Sequence, residues 1–143
     1  MAGTVTVTAS NPTMDCIFQG EDNKIEVSWT CDASGDVSST GIASTYATAQ
    51  HDFGAKPNKL KGFIRRIVTN PDDSDAPTDL YDIVLNDEDG IDVCGGNLGN
   101  RDTSNSEEVI FDPPVYVDSE LYIVVSNAGN AKKGVVKIFM NDE

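Results

Sequence analysis

Short stretches in which apolar and polar residues alternate recur along the chain, and this period of two is typical of half-buried β-strands. Residues 3–9 place two valines and an alanine on one face and three threonines on the other. Residues 24–31 place four apolar side chains on one face, among them Trp29, which we expect in the core. Both segments are predicted strands, and residues 1–10 form either a first strand or an N-terminal arm.

Three further segments have less regular patterns. Residues 60–69 (LKGFIRRIVT) carry apolar side chains on both faces, which predicts a central strand or a strand with a bulge near Gly62. Residues 109–117 are interrupted by two prolines and are predicted as an edge strand or a corner between strands. Residues 32–48 hold mainly Ser, Thr, Ala and Gly, which predicts a long loop with a short extended piece at 42–46.

The C-terminal half alternates more clearly. Residues 79–86 predict a strand with Tyr81, Ile83 and Leu85 facing inward. Residues 95–106 hold several Gly and Asn residues but few apolar side chains, which predicts a long surface loop.

The last two alternating segments, residues 121–126 and 135–140, are predicted to pair as a hairpin across a turn at 127–134. Val, Ile and Thr (14, 10 and 11 residues) far outnumber Leu (5 residues), and branching at Cβ favours strands over helices. The 143 residues suit one domain. We therefore predict a single all-β domain over residues 1–143, an antiparallel β-sandwich of eight or nine short strands, with a jelly-roll-like topology among the arrangements that fit.

Composition restricts the function classes. The formal net charge of −14 opposes binding to nucleic acid or to an anionic membrane. No apolar run is long enough to span a bilayer, and the first eight residues lack the basic and apolar regions of an export signal, so we expect a soluble protein. The three cysteines have no metal-binding or redox spacing and are expected to be reduced thiols.

Candidate catalytic residues are scarce. His51 is the only histidine, so a Ser–His–Asp or Cys–His arrangement would have to use it, and the chain has no GxSxG motif. The 24 acidic residues leave a paired-carboxylate glycosidase open, although the same acids suit a solvated surface. We predict no catalytic residue, no cofactor and no enzymatic activity.

The acidic run 87–92 (DEDGID) suggests a calcium loop, because Ca²⁺ prefers several carboxylate oxygens around a tight turn. Aligning Gly90 with the sixth position of an EF-hand loop puts Leu85 and Gly96 where carboxylates belong, so no dedicated metal site is predicted. The Gly-rich run 95–100 lacks the Lys and Ser/Thr of a phosphate-binding loop.

Half of the positive charge lies within eleven residues that contain no acid: Lys56, Lys59, Lys61, Arg65 and Arg66. One interpretation of this basic stripe is a docking surface for an acidic protein partner. The alternative is that the stripe pairs with the acidic segment 72–79 of the same chain.

The N-terminal residues Thr4, Val5, Thr6 and Val7 are a second candidate contact. An alternating Thr/Val strand at a terminus can add to the sheet edge of a neighbouring molecule through backbone hydrogen bonds. The alternative is that it pairs with its own sheet.

The segments 80–102 (LYDIVLNDEDGIDVCGGNLGNRD) and 109–140 (VIFDPPVYVDSELYIVVSNAGNAKKGVVKIFM) contain a strand, an acidic turn, a Gly/Asn-rich loop and two closing strands. In this order they resemble the capsid decoration, or cement, proteins of tailed bacteriophages. The resemblance covers about the C-terminal half of the chain.

This resemblance implies a structural protein without catalysis. It would be made in the host cytoplasm and would bind the outer capsid surface as a homodimer or homotrimer. There it would stabilise the head by bridging subunits of the major capsid protein.

Two other functions remain open from the residues. A neck, tail or baseplate protein of a phage would share this composition but bind in few copies. A carbohydrate-binding module would use Trp29 and the four tyrosines to stack sugars.

Overall fold

Residues 3–9, 23–42 and 59–141 are described by the structure, which is a computed structural model. In these ranges the chain forms eight strands and no helix: β1 (Thr4–Ala9), β2 (Asn23–Thr30), β3 (Val37–Gly41), β4 (Lys59–Pro71), β5 (Asp82–Asn86), β6 (Glu107–Glu120), β7 (Tyr122–Ser126) and β8 (Lys133–Asn141). Two antiparallel sheets result, one of five strands in the order β1-β2-β8-β4-β6 and one of three strands in the order β3-β7-β5. The predicted all-β sandwich is confirmed.

From β2 to β8, each successive strand lies in the other sheet. The pairs β2–β8, β3–β7 and β4–β6 are nested around the connection that follows β5. Residues 92–101 of that connection lie along β5, with isolated bridges at Tyr81–Arg101 and Asn86–Asp92. This nesting is the jelly-roll order, which has eight strands. Seven of them are β2 to β8, and the segment 92–101 takes the position of the remaining strand, between β5 and β6. β1 is an additional strand at one edge of the larger sheet.

The core lies between the two sheets and is built from the predicted inward-facing residues. From β2, β4 and β8 it takes Ile25, Val27, Trp29, Leu60, Ile64, Ile67, Val136, Ile138 and Met140. From the smaller sheet and its approach it takes Tyr81, Ile83, Leu85, Ile123 and Val125. Alternation along β2, β5 and β8 therefore predicted which side chains are buried.

Trp29 ties the two sheets together. Its side chain is only 2% exposed, and its ring lies 5.6 Å from the ring of Tyr81, between centroids. Burial raises the pKa of Tyr81 to about 12, and a side-chain hydrogen bond links its phenol to Thr69 of β4. The indole lies over Gly134, its register partner on β8. This position requires glycine, because a Cβ there would occupy the same space as the ring.

Two predicted connections are wrong. Residues 121–126 and 135–140 do not form a hairpin, because β7 belongs to the three-stranded sheet and β8 to the five-stranded one. The turn at 127–134 therefore carries the chain from one sheet to the other. The predicted loop at 32–48 contains strand β3, although its side chains are mostly Ser and Thr. Residues 43–48 lie outside the described residues.

The bulge in β4 lies at Arg65 rather than near Gly62. Ile64 pairs with Met140 and Arg66 with Phe139, so Arg65 is an extra residue on β4. Such an insertion places residues three apart on the same face, which explains why Ile64 and Ile67 are both buried. The predicted edge position of the proline-containing segment is confirmed, because β6 ends the five-stranded sheet.

Three Asp-Xaa-Ser sequences begin turns in the loops that follow β2, β4 and β5. The Oδ1 atom of Asp32 accepts hydrogen bonds from the backbone N–H groups of Ser34 and Asp36 at 2.8 and 3.0 Å. Asp72 and Asp102 accept equivalent pairs of backbone hydrogen bonds. These hydrogen bonds hold the pKa of each carboxyl below its usual value, because they stabilise the charged form.

We expect Gly134→Ala to destabilise the protein by about 1–3 kcal/mol, the usual cost of overpacking a core. A Cβ at this position would lie 2.4 Å from Cζ2 of Trp29 and 3.1 Å from the carbonyl oxygen of Asn70. Gly41→Ala is the matched control, since among the described residues its Cβ would meet only the Tyr122 ring, at 3.7 Å. Urea unfolding measures both variants, and equal midpoints would contradict the proposed packing of Trp29 on Gly134.

The triple variant Asp32→Asn/Asp72→Asn/Asp102→Asn should be less stable at pH 7 and should lose less stability on acidification. Each carboxyl has a lower pKa in the folded than in the unfolded chain, so its contribution is present above about pH 4 and is lost as the pH falls further. Urea midpoints between pH 7 and pH 2 test this. Asp73→Asn serves as the charge control, and parallel curves for the wild type and the triple variant would refute it.

Candidate functional site

The outer face of the five-stranded sheet, which points away from the three-stranded sheet, differs in its charge from the chain as a whole. Its described cations are Lys24, Lys61, Arg65, Arg66, Lys133 and Lys137. Its acids are Glu26, Glu108, Asp118 and Glu120. The whole chain has 10 Lys and Arg against 24 Asp and Glu, so the charge balance of this face is the reverse of the average.

The bulge in β4 concentrates charge on this face. Arg65 and Arg66 are consecutive, yet both are exposed, because the extra residue interrupts the alternation between the buried residues Ile64 and Ile67. A regular strand would have turned one of the two arginines toward the core.

Aromatic side chains lie among these cations. The rings of Phe63 on β4 and Tyr116 on β6 are 5.2 Å apart between centroids, and Tyr116 is 52% exposed. The guanidinium of Arg66 lies 4.9 Å from the centroid of the Phe139 ring, which is a cation–π distance. Ile110 beside them on β6 is 64% exposed. The outer face near β4 and β6 therefore combines exposed arginines with apolar and aromatic side chains.

Within the basic stripe, Arg66 has its ion-pair partner on β6 and not in the acidic segment 72–79. Nε of Arg66 lies 2.6 Å from Oε1 of Glu108 on β6. The register also sets Lys61 opposite Asp118 and Lys59 opposite Glu120. Within segment 72–79, Asp75 instead lies 3.5 Å from Nζ of Lys133 on β8. Exposed ion pairs of this kind are weak and can exchange partners on binding.

The N-terminal candidate residues lie in β1 and pair with their own sheet, with Thr4 opposite Thr30 and Val7 opposite Val27. Thr4 and Thr6 are exposed, while Val5 is partly buried and packs against the core. Since β1 is the last strand of the sheet, this pairing occupies only one of its two edges. Lys56 lies outside the described residues, as does His51.

The acidic run 87–92 uses its carboxylates to hold its own backbone. Oδ1 of Asp87 accepts hydrogen bonds from the N–H groups of Asp89 and Ile91, both at 2.9 Å. Asp92 accepts from Cys94 and Gly96 at 3.0 and 2.8 Å. Across the described parts of the chain, no three His, Cys, Asp or Glu side chains gather as a metal site would require.

A cleft of about 150 Å³ lies between the 87–89 turn and β6, with Tyr116, Asp118 and Ser119 in its wall. This is below the roughly 300 Å³ at which small-molecule pockets begin. The N–H of Glu88 donates to Oγ of Ser119 at 3.0 Å and so joins the turn to β6.

Two of the five aromatic residues proposed for sugar stacking are buried. Trp29 and Tyr81 are 2% and 1% exposed, so neither ring can receive a sugar. Tyr122 is half-buried, Tyr116 is exposed and Tyr46 lies outside the described residues.

Comparisons of the chain with protein-family models, with curated proteins and with solved structures find no match. Among the described residues, none belongs to a helix that is long and apolar enough to cross a membrane.

Sequence reasoning identified three of the six described cations of this face, Lys61, Arg65 and Arg66, and missed Lys24, Lys133, Lys137 and the aromatic residues. The signal was present, because Phe63 and Phe139 occupy polar positions of the alternating pattern. In β4 the apolar residues on both faces predict a central strand, and this prediction is correct. The same pattern does not reveal that the ring of Phe63 faces outward. Tyr116 and Ile110 could not be assigned to a face, because the two prolines obscure the period of β6.

We expect the described thiols to react slowly. Burial, reinforced by Asp32 and Asp36, raises the pKa of Cys31 to about 11, and burial with Asp92 raises that of Cys94 to about 12. At pH 8 their thiolate fractions, and hence their reactivity, should be about 100-fold or more below those of the unfolded chain. A Cys16→Ser variant treated with Ellman's reagent, with and without urea, measures this, and fast labelling without urea would contradict it.

Proposed function

We propose that this protein is a non-enzymatic structural protein of a tailed-bacteriophage virion. In this proposal it binds the outer surface of the capsid and stabilises the head by bridging subunits of the major capsid protein. The observation that carries the proposal is the outer face of the five-stranded sheet, which combines exposed cations with aromatic side chains in a strongly acidic molecule.

The chemistry of this face favours a protein partner with a complementary acidic surface. Aromatic side chains and arginine are enriched in protein interfaces, because they bury a large area and form several contacts each. The remaining negative charge opposes binding to nucleic acid and favours solubility of the protein before assembly. A partner that presents carboxylates would compete with Glu108 for Arg66 and attract Arg65 and Lys61.

The fold gives weaker support, by analogy alone. Jelly-roll domains occur in viral capsids and also in lectins. The burial of Trp29 and Tyr81 opposes the lectin class at those two rings, because sugar stacking needs an exposed ring. Copy number on the particle separates capsid decoration from a neck, tail or baseplate function.

The test mixes the purified protein with expanded, genome-free heads assembled from the major capsid protein of the same phage. We expect the protein to co-sediment with the heads in a fixed ratio to the major capsid protein. Binding should weaken as salt is raised, because the attraction between charged faces is screened. Failure to co-sediment, or binding of only a few copies per head, would refute capsid decoration.

Arg65→Glu tests the face itself and should weaken binding about tenfold, which corresponds to about 1.4 kcal/mol. The matched control is Ser104→Glu/Ser106→Glu, which changes the net charge by the same amount at exposed loop positions. Equal affinities for the two variants would show that net charge, and not the outer face, determines binding.

A further inference from the structure

Two open sheets have four edges, and the edge strands of this protein differ in how they are protected. An unprotected edge strand presents unpaired backbone N–H and C=O groups to any strand that approaches. Proteins block such edges with proline, charge, irregularity or a covering segment. Each of the four edges can therefore be judged by these devices.

The β6 edge carries several of them. Its ladder with β4 jumps from Val115 to Ile110, so residues 111–114 stand outside the regular pairing. Pro113 and Pro114, within that insertion, lack backbone N–H groups. Five acids add charge along the strand: Glu107, Glu108, Asp112, Asp118 and Glu120.

The β5 edge is covered by residues 92–101 of the same chain. The N–H of Val93 donates to the carbonyl of Leu85 at 2.8 Å, and the N–H of Ile83 donates to the carbonyl of Leu98 at 3.1 Å. Both edges on this side of the sandwich are thus closed to an incoming strand.

The other two edge strands are β1 and β3. Neither strand contains a charged residue or a proline. They lie side by side, since a Cβ on Gly3 would be 3.0 Å from Cγ2 of Val37. Along the described parts of the chain, no segment pairs with the outward edge of either strand. β3 is short and its register shifts, whereas β1 keeps a regular register over six pairs.

We propose that β1 pairs with β1 of a second copy of this chain, in antiparallel orientation across a two-fold axis at Thr6. Residues 4–8 read TVTVT, which is the same in both directions. Pairing about Thr6 sets Thr4 opposite Thr8 and Val5 opposite Val7 of the other copy. Threonine then lies opposite threonine at every second position, and such pairs stabilise antiparallel sheets. The resulting contact is isologous and closed, as in most dimers.

Charge does not oppose an identical partner at this particular edge. Two molecules of net charge −14 repel each other wherever their acidic surfaces face. The seam at β1 brings no charged side chain of the strand itself into contact. The first acid inward from it is Glu26, which lies opposite Thr8 and is already 3.0 Å from Nζ of Lys24.

Sedimentation equilibrium of the purified protein, without any capsid, tests the inference independently of the proposed function. We expect a dimer that dissociates on dilution. Thr6→Lys and Thr6→Glu should each raise the dissociation constant at least about tenfold, because like charges then lie directly opposite each other. Mixing the two variants should restore a dimer, since a positive and a negative side chain are then paired across the axis.

The control is Ser104→Lys, which adds the same charge at an exposed loop position and should leave the dimer intact. Because Thr6 is exposed, we expect each variant to fold, and thermal unfolding verifies this. A wild-type protein that is monomeric at all concentrations would overturn the inference. Slow hydrogen exchange of β1 in that monomer would indicate that a segment of the same chain covers the edge. Dimers that persist in Thr6→Lys, or a mixture that stays monomeric, would also overturn the inference.

Discussion

The unpaired backbone groups at the edges of the two sheets are the physical constraint on which this architecture depends. Two open sheets can bury their apolar faces against each other, but they cannot pair their own outermost strands. The chain deals with one side by laying residues 92–101 along β5 and by interrupting β6 with prolines and acids. It leaves β1 and β3 as plain, uncharged strands on the other side. This asymmetry separates a closed side from a side suited to strand pairing.

The acidic composition is explained partly by the loops. Asp32, Asp72 and Asp102 each accept two backbone hydrogen bonds at the start of a turn, and Asp87 and Asp92 hold the connection after β5 in the same way. A carboxylate accepts such bonds more strongly than a neutral side chain. Part of the negative charge is therefore explained by the ordered loops. The basic outer face has no such structural explanation, so it is the more informative surface about function.

Alternation predicted the strands and the core well, because a period of two records which residues face inward. It identified Trp29 and the buried residues of β5, but it does not record which sheet a strand joins. For this reason β7 and β8 were wrongly paired as a hairpin. The strand β3 was missed because its partner is β7, distant in sequence, and its own Ser and Thr residues carry little pattern. The ring of Phe63 lies on the same face as Lys61, two residues before it, but the apolar residues on both faces of β4 obscure this signal.

The two contact surfaces reinforce each other through geometry. An antiparallel pair of β1 strands continues the sheet from one copy into the next, so the Thr faces of both strands lie on the same side. The outer faces of the two copies then point in one direction, each with its own Arg65, Arg66 and Tyr116. A single outer face can hold one partner subunit, whereas a doubled face can hold two at a fixed separation. In the proposed capsid function, self-pairing at the edge combined with the outer face would bridge neighbouring subunits, and neither surface alone would do so.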